Sequence, residues 1–255
     1  MILIKDKLLD KPELVHAFTS RSGGVSKFPF NSLNCCNFVE NENSNALQNR
    51  NLVLKKLNLS SSIQLKQIHS NKVVKAEDIL DNNKPIEADA ITSNTIGLPA
   101  SVTIADCAAI LFADTKINMI AAAHAGWRGA VLGITDNVIQ EFLNSGSRTE
   151  NICAVIGPCI NQNSFEVRED MRDLAIKTDI NSQKFFIKTT SSFLFNLPGY
   201  ILYRLKKMNL SKISFTGEDT YTNPKMFFSH RYQKHNNQII TGRMMGIIGL
   251  KEKIK

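Results

Sequence analysis

The clearest pattern of apolar and polar positions lies in the middle of the chain. Two long apolar runs, SVTIADCAAILFAD (101–114) and KINMIAAAHAG (116–126), are separated only by a short polar turn. Apolar runs of this length bounded by polar residues are typical of buried strands. The following segment, 129–146, ends in Asn-Ser-Gly and has apolar residues at helical spacing, namely Val131, Ile134, Val138 and Phe142. The pattern therefore predicts two adjacent strands and then an amphipathic helix.

Weaker patterns predict the elements on either side of this central region. Segment 45–59 carries leucine and valine at helical spacing, whereas 63–76 alternates like two short strands. The further predicted elements are a strand at 151–160 interrupted at Gly157-Pro158, a helix over 196–210, a strand at 212–217, and a closing apolar stretch over 227–250. The asparagine-rich stretches 41–51 and 81–83 predict surface loops.

The order of these elements predicts the fold class. Strands and helices alternate irregularly, with neither an internal repeat nor a low-complexity linker. This order favours an α/β fold with mixed sheets over a regular doubly wound parallel sheet. A length of 255 residues and a hydrophobic content of 43% suit one large domain, so we expect residues 1–255 to form a single unit.

The charge of the chain limits the kinds of partner that we expect. The formal net charge is +8 and the pI is near 9.2, but the lysines are scattered along the chain. Nucleic-acid binders usually concentrate basic residues on one face or in one run, so we expect no nucleic-acid partner. An anionic small molecule remains compatible with this charge.

The chain also lacks sequence signals for a membrane or an oxidising compartment. The N-terminal segment has no apolar core suited to a signal peptide, and no run approaches the roughly 20 apolar residues that span a bilayer. The five cysteines are odd in number and form no CxxC pair. We therefore expect a cytoplasmic protein whose cysteines are thiols or metal ligands.

Reactive side chains recur where apolar strands end. His69 follows one predicted strand, Cys107 interrupts the next, and His124 ends a third. Two imidazoles and one thiolate suit Zn²⁺, and three protein ligands leave a fourth position for water or substrate. The spacing matches no compact metal motif, so a buried thiol with two structural histidines is the alternative from pattern alone.

A second hypothesis makes Cys107 a nucleophile. In this arrangement His124 acts as its base, with Asp106 or a backbone amide as helper. No local signature distinguishes this hypothesis from a metal site. Stoichiometric zinc would support the metal site, whereas activity that survives chelation and a covalent adduct at Cys107 would support the thiol mechanism.

The turn GWRGA (126–130) could bind an anion. Its glycines allow a close backbone approach, the following helix presents free N–H groups, and Arg128 could add a bidentate contact. The alternative is that the glycines only permit a tight turn while Trp127 packs on the sheet. Further candidate anion contacts are Arg21, Arg231 and Arg243, each of which could equally be a structural arginine.

Taken together, the motifs resemble one known family over nearly the whole chain. They are, in order, TSRSGGVS, NR, KQIHS, EADAITS, TIADCAAILFAD, AAAHAGWRGAVLGI, IGPCI, FFSHRY and TGRMMGIIGL. This order resembles the YfiH-like purine nucleoside phosphorylases, formerly labelled multicopper polyphenol oxidases or laccase-domain proteins. The resemblance implies two packed mixed sheets flanked by helices, in four layers.

The resemblance also implies an activity and a ligand set. It implies that His69, Cys107 and His124 bind a metal, with zinc favoured over copper. It implies phosphate-dependent cleavage of adenosine, inosine and methylthioadenosine, with adenosine deamination as a companion reaction. The expected partners are thus a purine nucleoside and phosphate. We assign Asp106 and Arg128 as candidate catalytic residues, and Arg21, Arg231 and Arg243 as candidate substrate-binding residues.

The sequence departs from the family pattern at three places. Ala109 stands where relatives usually have proline after ADC, which should loosen the turn beside the ligand. The segment 219–222 reads DTYT, with Thr220, where relatives often have Cys-Thr, and SHRY replaces a second arginine while adding His230. These departures bear on substrate preference and rate.

Other function classes rank lower. Some relatives edit peptidoglycan precursors, so an amidase that removes mis-incorporated serine is the runner-up. Copper-dependent phenol oxidation ranks third, because five dispersed histidines are too few for a multicopper cluster. A non-enzymatic binding module would not need the ligand set. The sequence predicts no particular oligomeric state.

Overall fold

The computed structural model describes residues 1–39, 43–79, 86–238 and 240–252. Within these residues the chain forms strands, α-helices and four short 3₁₀ helices. The strands are β1 (Leu3–Ile4), β2 (Leu14–Thr19), β3 (Leu65–Lys66), β4 (Val73–Lys75), β5 (Ile86–Glu87), β6 (Ala90–Ser93), β7 (Ala100–Ile104), β8 (Ala108–Asp114), β9 (Met119–Ala125), β10 (Cys153–Ile156), β11 (Glu166–Val167), β12 (Phe186–Lys188), β13 (Phe193–Phe195), β14 (Lys212–Phe215) and β15 (Met244–Leu250). The α-helices are α1 (Asn43–Leu57), α2 (Trp127–Leu132), α3 (Ile134–Asn144), α4 (Glu169–Thr178), α5 (Leu197–Lys207) and α6 (His230–His235).

Two sheets form the centre of the fold. A six-stranded mixed sheet has the order β14-β10-β8-β9-β6-β4, and a four-stranded sheet has the order β1-β2-β15-β7. The four-stranded sheet is antiparallel throughout, so only the larger of the two sheets is mixed. The strands β11, β13 and β12 form a small third sheet, and β3 pairs with β5.

Hydrophobic cores lie between the layers and hold them together. One lies between the two main sheets and includes Phe18, Leu111 and Ile248. A second joins the outer face of the six-stranded sheet to α3 and α5, and a third joins the four-stranded sheet to α1. The order α1, sheet, sheet, α3 with α5 confirms the predicted α/β fold of packed sheets flanked by helices.

The pairing of β8 with β9 determines which way their side chains point. Ala109 lies opposite His124 in this antiparallel pair. Because side chains alternate between faces, His124 shares its face with Ala122, and Cys107 shares its face with Ala109. Ala109 and Ala122 both belong to the core between the sheets. Cys107 and His124 therefore point from the same end of the sheet into the space between the two sheets.

The predicted helix over 129–146 is two helices. Gly133 has φ of +88° and separates α2 from α3, because this left-handed conformation ends one helix before the next begins. The predicted loop over 41–51 was wrong from residue 43 onwards, since α1 already runs from Asn43. There the apolar spacing, with Val53 and Leu54 buried, outweighs the asparagine content. The predicted loop at 81–83 lies outside the described residues.

No helix within the described residues is both long and apolar enough to cross a bilayer.

Candidate metal centre and cavity

Three side chains with metal-binding atoms meet at one end of the two main sheets. The ligand atoms of His69, Cys107 and His124 all lie within 4.8 Å of one another. The imidazole rings of the two histidines meet edge to face, with centroids 4.9 Å apart. The structure therefore brings together the three side chains that the sequence pattern grouped, although they are far apart in the chain.

Each of the three side chains is placed by a turn or a strand end. His69 follows β3 and has φ of +59°, and Asp106, which precedes Cys107, has φ of +82°. Non-glycine residues adopt this left-handed conformation rarely, and their surroundings must hold them in it. His124 is the second-last residue of β9 and is buried, whereas His69 is exposed. The centre is thus accessible from the side of His69.

A buried carboxylate, Asp89, organises two of the three ligands. It accepts hydrogen bonds from the backbone N–H groups of Ile68 at 3.3 Å, His69 at 3.0 Å and Ser70 at 2.6 Å, and from the Ser70 hydroxyl at 2.7 Å. Its Oδ1 also lies 2.8 Å from Nδ1 of His124. This contact leaves Nε2 of His124 for a metal, as in carboxylate–histidine–zinc arrangements. Sequence reasoning missed Asp89.

The charges of the centre favour an ionised pair. Burial by itself raises the pKa of the Cys107 thiol, but the charge of His124 and hydrogen bonds from both imidazoles outweigh it and lower that pKa to about 6. Burial lowers the pKa of His124, but Cys107 and Asp89 outweigh this effect and raise it to about 9. Near neutral pH, the metal-free centre therefore holds a thiolate beside an imidazolium.

Alkylation of the metal-free protein tests this ionisation. Because the lowered pKa keeps Cys107 ionised down to about pH 6, we expect its iodoacetamide reaction to be half-maximal near pH 6. Peptide mapping should locate the adduct, and His124→Ala should move the midpoint up towards the ordinary thiol value of about 8.5. A wild-type midpoint above pH 8 would contradict the assigned charges.

Gly126 leaves space for the ligands. A Cβ atom at this position would lie 2.8 Å from Nδ1 of His69 and 2.9 Å from Sγ of Cys107. Gly126→Ala is therefore expected to push a ligand aside and weaken zinc binding about 100-fold, in competition with a chromophoric chelator.

A second glycine variant separates ligand displacement from a general loss of stability. Gly133→Ala places a side chain at φ of +88°, so it should lower the melting temperature. It should leave zinc affinity unchanged. Equal zinc affinities in Gly126→Ala and wild type would show that the ligands do not need this space.

The three ligands open onto a cavity of about 490 Å³. This volume falls within the range of small-molecule sites. The wall combines apolar and aromatic side chains with the metal-binding cluster and several basic groups. The lining residues are Cys36, Phe38, Val39, Leu65, Lys66, Gln67, His69, Thr103, Ala105, Asp106, Cys107, His124, Trp127, Ile160, Phe165, Leu197, His230, Arg231 and Arg243.

Asp106 lines the cavity, but its carboxylate already has two partners. Oδ1 accepts a hydrogen bond from the Thr220 hydroxyl at 2.7 Å, and Oδ2 accepts one from the backbone N–H of Arg231 at 2.6 Å. Asp106 thereby ties the turn before β8 to the start of α6. Thr220 is fully buried, so this departure from the family pattern lies directly behind the cavity wall.

The four candidate arginines divide into two pairs. Arg231 and Arg243 line the cavity, whereas Arg21 and Arg128 do not. Arg21 donates to the carbonyls of Asn31 and Pro224, which places its guanidinium among loops. Arg128 is exposed and lies over the ring of Trp127, 5.1 Å from its centroid.

Ala109 lies inside β8 and not in the preceding turn. It is fully buried, and a Cβ atom built on Gly246 of the neighbouring sheet would lie only 2.8 Å from the Ala109 Cβ. The two sheets therefore approach closely at this point. The expected loosening of the turn stays a prediction.

A family described as multi-copper polyphenol oxidoreductase laccase matches residues 15–251. The chain belongs to this family.

Its named relatives agree on one activity. "Purine nucleoside phosphorylase YfiH" of Escherichia coli is 33% identical over 242 residues, covering 94% of this chain and 96% of the relative. A purine nucleoside phosphorylase of Haemophilus influenzae is 32% identical, with 93% and 95% of the two chains covered.

Solved structures show the same fold. A Neisseria meningitidis protein of family DUF152 superposes with a TM-score of 0.86 at 30% identity, covering 96% of this chain and 98% of that one. A Bacillus licheniformis YfiH protein also gives a TM-score of 0.86, at 26% identity, with 95% and 98% covered. The expected family and its fold are thus confirmed.

Proposed function

We propose that the chain is a zinc-dependent purine nucleoside phosphorylase that cleaves adenosine, inosine and methylthioadenosine with phosphate, and that also deaminates adenosine. The observation that carries this proposal is a three-ligand cluster opening onto a cavity of about 490 Å³ that has both aromatic and arginine side chains in its wall. The names of the relatives support the general activity.

The donor set fits zinc. One thiolate and two imidazoles match the ligands of catalytic zinc sites, which keep a fourth position open. The ligand atoms lie within 4.8 Å of one another, so His69, Cys107 and His124 are close enough to hold one ion between them. Bound there, zinc supplies a Lewis acid and lowers the pKa of water towards about 7. Copper ranks behind zinc, because the described cluster offers three ligands to a single ion.

The residues of the wall suggest how substrates bind. Trp127 and Phe165 offer faces for a flat purine ring, and Arg231 lies over Phe165 at 5.6 Å from its centroid. Arg231 and Arg243 would bind phosphate and hold it for attack at C1′ of the ribose. As the new C–O bond forms and the C–N bond breaks, the departing purine takes up the proton that hydrogen phosphate loses.

The other candidate residues receive more limited roles in this proposal. Asp106 keeps Arg231 in place through its backbone N–H, which makes it a positioning residue. Arg128 is exposed beside Trp127 and would reach substrate only from the rim of the cavity. Arg21 joins the loops that carry Asn31 and Pro224. The five free cysteines are in keeping with a cytoplasmic location.

Metal analysis combined with a phosphate-dependent assay tests the proposed function. The purified protein should contain close to one zinc per chain, and adenosine with phosphate should yield adenine and ribose-1-phosphate. Conversion of adenosine to inosine at a rate that does not depend on phosphate, with no adenine formed, would support a deaminase alone. If the zinc-loaded protein converted neither adenosine nor inosine, the proposed activity would be contradicted. The amidase acting on cell-wall precursors would then be the next function to test.

One observation favours a second candidate function, a thiol hydrolase. Cys107, His124 and Asp89 form a continuous series of contacts from thiol to imidazole to carboxylate, and the pKa of the thiol is lowered to about 6. Cysteine hydrolases use the same order of groups. Activity that persists after zinc is removed, together with an acyl adduct on Cys107, would support this function over the first.

A further inference from the structure

His230 occupies a position in the cavity that the proposed mechanism does not use. It is the first residue of α6, directly after Ser229, whose hydroxyl caps the helix by accepting a hydrogen bond from the Tyr232 N–H. The His230 side chain is exposed and lines the cavity. Within the described part of the chain, its ring makes no hydrogen bond, so both ring nitrogens are available to a ligand.

The basic groups beside His230 are not neutralised by carboxylates. Arg231 donates to the backbone carbonyl of Glu166, and Arg243 donates to the carbonyls of Thr241 and Gly242. Among the residues that the structure describes, neither guanidinium forms an ion pair. Each guanidinium therefore has N–H donors that no carboxylate occupies.

Four other side chains of the wall carry charge, namely Lys66, Asp106, Cys107 and His124, and the opposite charges of Cys107 and His124 offset each other. The carboxylate of Asp106 accepts from Thr220 and from the backbone of Arg231, and Lys66 pairs with the exposed carboxylate of Glu87 at 2.8 Å. Both donors to Asp106 are neutral, so its carboxylate still counts against the two guanidiniums, which outnumber it by one positive charge around His230. Such a wall favours an anion carrying two negative charges over a neutral ligand.

The same surroundings keep His230 neutral before an anion binds. Partial burial in the cavity wall and the charge of Arg243 lower the pKa of His230, with smaller effects of Lys234 and Arg231 in the same direction, while Asp106 acts against them. An anion placed against the ring would reverse the sign of the local field. It would raise the pKa of His230 and draw a proton from solvent.

We propose that His230 is a ligand for the phosphate co-substrate, and that an oxyanion held between His230, Arg231 and Arg243 binds together with one proton taken up by the His230 ring. This assignment rests on the proposed phosphorylase function for the identity of the oxyanion. It makes His230 a specificity-determining residue for doubly charged tetrahedral anions.

Sulfate is the probe that separates protonation of the protein from protonation of the anion. Phosphate changes its protonation near pH 7, whereas sulfate stays doubly charged, so a proton taken up during sulfate binding goes to the zinc-loaded protein and not to the anion. The His230 variant below shows whether His230 is the group that takes it up. Calorimetric titration of the zinc-loaded protein at pH 7.5, in two buffers of different ionisation enthalpy, should show uptake of between about one half and one proton. The sulfate affinity should fall as pH rises from 6.5 to 8.5, by up to about tenfold per pH unit.

Two histidine variants on the same helix provide the comparison. His230→Gln should abolish the proton uptake and raise the KM for phosphate about tenfold or more, with a much smaller change in the KM for adenosine. His235→Gln is the matched control, because His235 bonds to Tyr221 and does not line the cavity, and it should behave like wild type. Proton uptake that persists in His230→Gln, or no sulfate binding to wild type, would overturn the inference.

The outcomes also separate this inference from the proposed function. Turnover of adenosine with phosphate, but without proton uptake on sulfate binding, would remove the role of His230 and leave the phosphorylase standing. Sulfate binding with His230-dependent uptake, but without phosphorolysis, would leave the anion site standing and remove the phosphorylase.

Discussion

His69→Ala is expected to remove zinc and to reduce phosphorolysis of adenosine by at least about 10³-fold. His69 is one of only three protein ligands in the described cluster, and two ligands do not form a stable catalytic zinc site. Its side chain is exposed, so alanine leaves no buried cavity. The loss should therefore appear in zinc content and turnover, with little change in the melting temperature.

A histidine outside the centre serves as the control for this substitution. His235→Ala removes an imidazole from α6, away from the cavity lining, and should retain one zinc per chain. Both phosphorolysis and deamination should disappear together in His69→Ala if one metal serves both reactions. Loss of deamination alone would contradict a shared site.

Asp89→Asn is expected to weaken both zinc binding and folding. The amide group replaces one carboxylate oxygen with an N–H₂ group, which faces the N–H and O–H donors that now bind Asp89. Breaking such a buried charged network typically costs about 3–5 kcal/mol of unfolding free energy. Because Asp89 also orients His124, zinc affinity should fall about 10–100-fold.

Chemical denaturation and chelator competition measure the two effects separately. Glu87→Gln is the matched control, since Glu87 lies two residues away but is exposed and, among the residues that the structure describes, pairs with Lys66 alone. We expect no measurable change in the zinc affinity of Glu87→Gln. If Asp89→Asn kept full zinc affinity, the carboxylate would act only on the turn at His69 and Ser70, and not on His124.

The strands nearest the metal centre could be predicted because their apolar runs are long and uninterrupted. Residues 108–114 and 119–125 form β8 and β9 within the two predicted runs. Sequence pattern does not give strand order, however, and β15 lies between β2 and β7 although it comes last in the chain. Such long-range pairing depends on the packing of whole layers and leaves little local signal.

The candidate site was predicted only in part, for a similar reason. Residue type indicated His69, Cys107 and His124, but it could not show which arginines face the cavity, because that depends on backbone direction. Arg231 and Arg243 do so, whereas Arg21 and Arg128 do not. For Asp89 there was a usable signal: a carboxylate between Ala88 and Ala90, directly before the strand AITS, indicates a buried partner.

The pairing of Ala109 with His124 has a practical consequence for anyone preparing the protein. A slip of one residue between β8 and β9 would turn His124 to the opposite face, towards the helices, while Cys107 kept its direction. Molecules with slipped strands could still be compact and rich in sheet, and far-ultraviolet circular dichroism would hardly distinguish them. They would lack a zinc ligand. The zinc content of a refolded sample therefore counts the correctly paired molecules, and a colorimetric zinc assay becomes a test of refolding quality.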